Sequence, residues 1–338
     1  MTKRTETKRI LAVMSEFGYW GIELVGPMRK LEAAGYKFDF VSPKGKRSPV
    51  LPPSTDTTYI DPPLGVCVTT PGDKALVDAF EATPALNATM NLSKMFPERP
   101  YYSRPNFLRE LESLHADLFV VVAFRMLPEV VWSMPRLGSI NLHGSLLPQF
   151  RGAAPIQRAI MAGVPETGVT TFLLQHEIDT GHILMQERIP ITENMTAGEL
   201  HDTMMPIGAK LLVKTIEAMA SGHVQPIPQE TVMPEECFHA PKIFRDDMRI
   251  PWEKSTAIVH QHVRGLSPYP AAWTTFRDLT LKVYAGKPLP GTLLHEMFET
   301  DGSTYLRFAC ADGAYEVTDV QLEGKKRMDI QSLLRGLR

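Results

Sequence analysis

Asn141, His143 and Asp179 are the side chains of this 338-residue chain whose types and spacing could do chemistry together. The first two lie two residues apart at the end of a short apolar run, 139–142. Side chains alternate along a strand, so a carboxamide and an imidazole would project to one side, ~7 Å apart along the axis. Asp179 follows a second run, 168–174, rich in β-branched and large apolar residues, which stops before Glu177, Asp179 and Gly181. Ligands of open α/β sheets bind beyond the carboxyl ends of strands, so the two polar clusters are expected to meet at one site. There an amide N–H can hold a developing oxyanion, an imidazole can add a second donor or shuttle a proton, and a carboxylate can orient the imidazole and take a proton from an attacking amine. That set suits transfer of an acyl group between two bound substrates. No nucleophile elbow, no second His or Cys at metal-ligand spacing and no Gly-rich phosphate loop accompanies it, and no metal is expected. Each residue alone has a plainer reading: a strand-end turn former, a satisfied histidine, an Asp-Thr-Gly turn. The argument rests on the constellation.

The elements that must position these residues are legible in outline. Leu146, Leu147 and Pro148 end the strand, and Arg151-Gly152 leads into a helix with Pro155 in its first turn. Upstream, 117–124 (DLFVVVAF) has the continuous apolar character of a central parallel strand, followed by a helix through Trp132. The chain begins strand 9–14, helix 23–34, strand 37–41, which suits a parallel sheet. The segment 42–107 reads as an irregular excursion with one short helix, 74–82. Thr196 and Glu199 form a capping box for a helix to about 221, which Pro206 should kink. Beyond Gly222, a Pro-rich linker, a helix near 256–265 and short alternating runs at 281–284, 304–310 and 315–320 suggest a small barrel. Two domains are expected, 1–222 and 223–338.

Composition adds boundaries. The chain is 43% hydrophobic and 22% charged, ordinary for a globular protein. A net charge of −2 gives no global sign of a nucleic-acid binder, so such contacts would need local basic patches. Three scattered cysteines, Cys67, Cys237 and Cys310, argue against a disulfide framework or a zinc cluster and fit a reducing compartment. No apolar run approaches the ~20 residues of a membrane span, and the basic start is followed by too short an apolar stretch for a signal peptide. A cytoplasmic location is expected.

The strings Asn141-Leu142-His143-Gly144-Ser145-Leu146-Leu147-Pro148, Arg151-Gly152-Ala153-Ala154-Pro155-Ile156-Gln157-Arg158-Ala159-Ile160 and Asp179-Thr180-Gly181 together resemble the methionyl-tRNA formyltransferase family, over about residues 114–338. The resemblance implies a doubly wound, mostly parallel α/β sheet followed by an OB-like β-barrel. It implies transfer of a formyl group from 10-formyltetrahydrofolate, as co-substrate, to the amino group of methionyl initiator tRNA, with Asn141, His143 and Asp179 catalytic. Phe124, Arg125, Met126, Leu127, Ser145, Leu146, Leu147 and Pro148 would line the folate site, although Met126 and Leu127 also suit plain core packing. Arg151, Lys242, Arg245, Lys325, Lys326 and Arg327 would face tRNA, with Arg249, Lys282 and Lys287 as further candidates, although any one of these basic side chains alone also suits a solvated surface charge; a monomer is expected.

Residues 1–112 read differently. SEFGYWGIELVGP after the first strand, and SPKGKRSPVLPPSTDTTYIDPPLG after the second, resemble the class I glutamine-amidotransferase-like superfamily, in which Glu23 would support a cysteine nucleophile. This chain lacks that cysteine elbow, so Glu23 falls back to a solvated helix residue. Lys44, Lys46 and Arg47 are either a substitute tRNA-inserting loop or a solvated charged turn. An inert folate- or tRNA-binding protein, a formyltransferase acting on an amino sugar, and an amidotransferase-like hydrolase remain the alternative functions.

Overall fold

A computed structural model describes residues 9–13, 21–42, 47, 50, 55–58, 69–88, 90–91, 105–121 and 127–337. The run RILAV forms β1 (Arg9–Val13), and α1 (Gly21–Ala33) leads to β2 (Lys37–Ser42), parallel to β1. Helix α2 (Pro71–Glu81) starts on a capping box, with Thr70 and Asp73 each accepting the other's backbone N–H. The short β3 (Met90–Asn91) extends the sheet beyond β2, and α3 (Pro105–Ser113) leads to β4 (Leu118–Val121). β4 pairs with β1 on the side away from β2, so the winding direction reverses between them. All of β4 is buried, as its unbroken apolar run requires of a strand covered on both faces.

Helix α4 (Glu129–Trp132) then brings the chain to β5 (Ser139–His143), parallel to β4. Helix α5 (Pro155–Ala162) opens on Pro155 and ends at Gly163 in the left-handed region, φ 71°. β6 (Glu166–Leu173) and β7 (Ile183–Pro190) complete the sheet, whose order is β3-β2-β1-β4-β5-β6-β7. Helix α6 (Ala197–Ala220) begins on the expected Thr196–Glu199 capping box and runs through Pro206. It approaches β5 so closely that a Cβ on Gly208 would lie 2.8 Å from the Leu142 side chain.

One expectation about this sheet changes. β6 is a strand, but it runs antiparallel to β5, and the unexpected β7 follows it. An apolar run signals burial and not direction, so the sequence could not distinguish the two senses. The strands of the first stretch join this sheet: β1 and β2 are hydrogen-bonded into the same sheet as β4 and β5, as one domain over 1–222 allows. Within 42–107 the ordered content exceeds the single short helix, since α3 begins at Pro105 and a 3-10 turn spans Pro84–Ala88.

The second sheet follows α7 (Thr256–Leu266) and comprises β8 (Ala272–Phe276), β9 (Leu279–Pro290), β10 (Phe298–Thr300), β11 (Leu306–Cys310), β12 (Gly313–Leu322) and β13 (Met328–Asp329), closed by α8 (Ile330–Arg335). Its antiparallel order is β10-β11-β12-β9-β8, with β13 on β12. Register shifts near Asp319 let the sheet curl into a half-barrel around Phe276, Phe308, Tyr315 and Val317. Trp252 closes one end, stacked on Phe308 at 4.5 Å. The two sheets meet where α7 packs on α5: a Cβ on Gly265 would come within 2.7 Å of Met161, and Arg264 donates to the Met195 carbonyl at 3.0 Å. Among the described residues no helix is long and apolar enough to cross a membrane.

Candidate active site

β5 carries Asn141 and His143 toward its carboxyl end, two residues apart and so on one face. His143 is only 7% exposed, with Phe172 edge-on to its ring at 6.4 Å. Its Nε2 lies 2.9 Å from the Phe150 carbonyl oxygen. A carbonyl can only accept, so Nε2 carries the hydrogen and any further proton the ring takes up sits on Nδ1. Nδ1 faces the Asp179 carboxylate at 3.7 Å, and that carboxylate also accepts the Gly152 N–H at 3.0 Å. Among the described residues the Asn141 carboxamide takes no hydrogen-bond partner, and it is partly exposed.

Asp179 arrives by a route different from the expected one. Because β6 runs against β5, its carboxyl end lies beside Ile140, at the amino end of β5. Residues 174–182 therefore double back, with the Leu173 N–H on the His182 carbonyl at 2.9 Å and the Leu174 N–H on the Ser139 carbonyl at 2.8 Å. Gly181 rests directly on the Leu173 carbonyl, with no room for a Cβ, and Asp179 takes φ 56°. The trio is brought together by this returning turn, and not by two parallel strand ends.

The loop after β5 is pinned from two sides. Thr170, fully buried on β6, donates to the Ser145 carbonyl at 2.6 Å and accepts the Leu147 N–H at 3.1 Å. Gln186 on β7 donates to the Leu147 carbonyl at 2.8 Å. From the other side the linker clamps it: the Phe150 N–H donates to the Phe238 carbonyl at 2.7 Å, the Gln149 carboxamide bridges the Glu236 carbonyl and the Phe238 N–H, and the Ala240 N–H donates to the Arg151 carbonyl at 2.8 Å. Phe150 and Phe238 stack at 5.5 Å. The carbonyl that sets the His143 ring thus belongs to a residue held by the linker.

The sequence-predicted folate residues are placed unevenly. Phe124, Arg125 and Met126 lie outside the described residues, and Leu127 is half-buried ahead of α4. The side chains of Ser145 and Leu147 are 0% and 2% exposed, and the Ser145 hydroxyl donates to the Gln149 carbonyl, so both hold the loop from within. Leu146, Leu147 and Pro148 line a cavity of about 610 Å³ shared with Ile183, Gln186 and Phe238. Asn141, His143 and Asp179 are not among its lining residues.

Of the expected tRNA residues, Arg151 donates from Nε and Nη2 to the Gln229 carboxamide oxygen at 2.9 and 2.7 Å. Lys242 lies over Phe244 and Arg245 over Trp273, at 5.7 and 5.6 Å, with Arg249 6.0 Å from the same Trp273 ring. Lys282 pairs opposite Trp273 across β8 and β9. Lys325 and Lys326 are exposed in the turn before β13, whereas Arg327 is committed to Asp319 at 2.6 Å and to the Tyr284 ring at 4.2 Å. Lys44 and Lys46 lie outside the described residues, as does the Glu23 side chain, and Arg47 is spent on Glu81 at 2.6 Å. The residues that sequence reasoning missed are Phe150, Thr170, Gln186 and Gln229, none of which sits in a spacing that signals chemistry.

The family model described as "Formyl transferase" matches residues 66–216, and that described as "Formyl transferase, C-terminal domain" matches 242–338. The methionyl-tRNA formyltransferase of Bacteroides fragilis is 48% identical over 238 residues, 68% of this chain and 74% of that protein. The chain belongs to the methionyl-tRNA formyltransferase family. Another member, the methionyl-tRNA formyltransferase of Porphyromonas gingivalis, is 43% identical over 246 residues, 68% of this chain and 74% of that one. The family match starts at residue 66, which moves the resemblance well ahead of 114 and into the stretch set apart as amidotransferase-like.

Solved structures share the fold of this family member. HypX from Aquifex aeolicus in complex with tetrahydrofolic acid superposes with a TM-score of 0.59 at 16% identity. The likeness covers 97% of this chain and 47% of HypX, so the chain spans about half the length of that protein. WlaRD, a sugar 3N-formyl transferase, gives a TM-score of 0.59 at 16% identity over 95% of this chain and 99% of that one.

Proposed function

We propose that this chain transfers a formyl group from 10-formyltetrahydrofolate to the amino group of methionyl initiator tRNA, with Asn141, His143 and Asp179 as the catalytic residues. The observation that carries the residue assignment is the pairing of His143 Nδ1 with the Asp179 carboxylate, 3.7 Å apart, on the same strand end as the Asn141 carboxamide. Folate supplies the formyl group; this chain supplies the charge and proton handling around it. As the amine attacks, negative charge grows on the formyl oxygen, and the Asn141 amide donates to it. The attacking nitrogen becomes cationic and must lose a proton. Asp179 and His143 Nδ1 form the acceptor pair, because His143 Nε2–H stays on the Phe150 carbonyl. Breaking the bond from formyl carbon to folate nitrogen then returns a proton to the leaving amine.

The basic and aromatic surface of Lys242, Phe244, Arg245, Arg249, Trp273 and Lys282 is our candidate for the tRNA face. We read the chain as a monomer acting in the cytoplasm; the free thiols Cys237 and Cys310 fit a reducing compartment.

The test is formylmethionyl-tRNA formation by the purified chain with both substrates. Turnover is expected, and Asn141→Ala should lower kcat by ~10²- to 10³-fold, the typical cost of an oxyanion donor. A folded protein that binds folate and tRNA without turnover would make the chain an inert binder; an Asn141→Ala variant with near-full activity would remove that residue from the mechanism.

A further inference from the structure

Gln229 is fully buried in the 3-10 turn Gln229–Val232 of the linker, and it touches both halves of the site. Its carboxamide oxygen accepts Arg151 Nε at 2.9 Å and Nη2 at 2.7 Å. Its amide nitrogen donates to the backbone carbonyls of Asp179 at 2.9 Å and Gly181 at 2.7 Å. A carboxamide offers two donors and two lone pairs, so its full capacity is in use. The contacts close a ring: Gln229 holds the backbone of Asp179, Arg151 precedes Gly152, and the Gly152 N–H grips the Asp179 carboxylate at 3.0 Å. Asp179 itself sits at φ 56°, a conformation uncommon outside glycine though commoner for Asp than for most residues, and the Gln229 contacts hold the backbone there.

We propose that Gln229 is a positioning residue for formyl transfer, holding the Asp179 turn and Arg151 in the one arrangement that sets the Asp179 carboxylate against His143 Nδ1. It reaches no reacting atom itself. Its chemistry is specific: a glutamate would turn an oxygen toward the carbonyls of Asp179 and Gly181, and a methionine of similar length would leave those carbonyls and Arg151 unpaired. Loss of either kind frees the 179–181 turn to relax from its left-handed conformation. The carboxylate then drifts, and misplacement by about 1 Å is enough to cost ~10²-fold in rate.

The inference rests on the formyl-transfer reading, so the wild-type chain is assayed alongside. Steady-state kcat, KM for each substrate, the pH–rate profile and the thermal midpoint are measured for Gln229→Glu and Gln229→Met in the full chain. Gln229→Glu keeps the acceptor for Arg151 and the packing, which preserves a folded variant if Gln229→Met does not fold. Expected are kcat values lower by about 10- to 100-fold, KM within about threefold, and a displaced pH profile because the Asp179–His143 pair has changed. Wild-type kcat and pH profile in a folded variant, or a loss confined to the melting temperature, overturns the positioning role alone. A wild-type chain without turnover overturns the formyl-transfer reading and this role with it.

Discussion

At the scale of single residues, the geometry of the candidate site depends on backbone atoms as much as on the side chains of the proposed trio. The His143 ring is oriented by a carbonyl, the Asp179 carboxylate by an amide N–H, and neither partner is a recognisable functional group. Gly152 shows why the loop sequence is so constrained. It sits at φ 124°, a region that favours glycine, and a Cβ there would run into the Ala240 carbonyl. Gly152→Ala is therefore expected to cost about 1–3 kcal/mol of stability and to loosen the grip of its N–H on Asp179. Chemical denaturation checks the first effect and kcat the second; an unchanged midpoint would mean that the linker gives way freely.

Among the elements, α7 makes the strongest prediction. It joins the two sheets through His260, whose Nε2 lies 3.2 Å from Asn194 and whose Nδ1 lies 3.1 Å from the Tyr315 hydroxyl. Burial lowers the pKa of His260, Arg264 adds to the shift, and Glu193 opposes it. Burial also lowers His262, helped by Arg158 and opposed by the Met248 hydrogen bond and Asp247. In both cases the fold favours the neutral ring, so below the ordinary value of 6.5 the unfolded chain binds more protons than the folded one. Stability should be fully present above pH 6.5 and decline as the pH falls toward the lowered folded values. The thermal midpoint measured from pH 7.5 to 5 should show this decline, and a His260→Gln, His262→Gln double variant should flatten it. An equally steep decline in the variant would place the pH dependence elsewhere.

For the whole molecule, the question is how a chain of net charge −2 engages a polyanion. The answer proposed here is local concentration: Arg245 and Arg249 flank Trp273, with Lys282 on the neighbouring strand, so basic and flat groups share one face of the second sheet. Hydrogen bonds from Thr280 hold the Glu323 carboxyl below its usual range, with Arg245 contributing, so the patch also carries a fixed negative charge at its rim. Arg245→Ala with Arg249→Ala should raise KM for tRNA, leave kcat within about twofold, and reduce the salt slope of binding by about one for each phosphate that is no longer neutralised. A salt dependence equal to wild type would move the tRNA face to another surface. At the same scale the linker ties the second sheet to the loop that sets the His143 ring.

The sequence by itself marked Asn141, His143 and Asp179 as the candidate trio and determined the capping of α6 and the central strand β4, because chemistry, caps and burial each leave a local pattern of residue types. It also determined the family, through strings of adjacent residues around Asn141 and Arg151. Tertiary structure alone decided that β6 runs against β5 and that residues 174–182 must double back to deliver Asp179, because strand direction leaves no mark in an apolar run. It decided that β1 and β2 pair into the same sheet as the site, since hydrogen-bond partners far along the chain are invisible in composition. It decided, too, that Gln229 bonds the Asp179 backbone while Arg327 is committed to Asp319: a polar side chain in a linker or a turn acquires its partner only when distant segments are folded onto it.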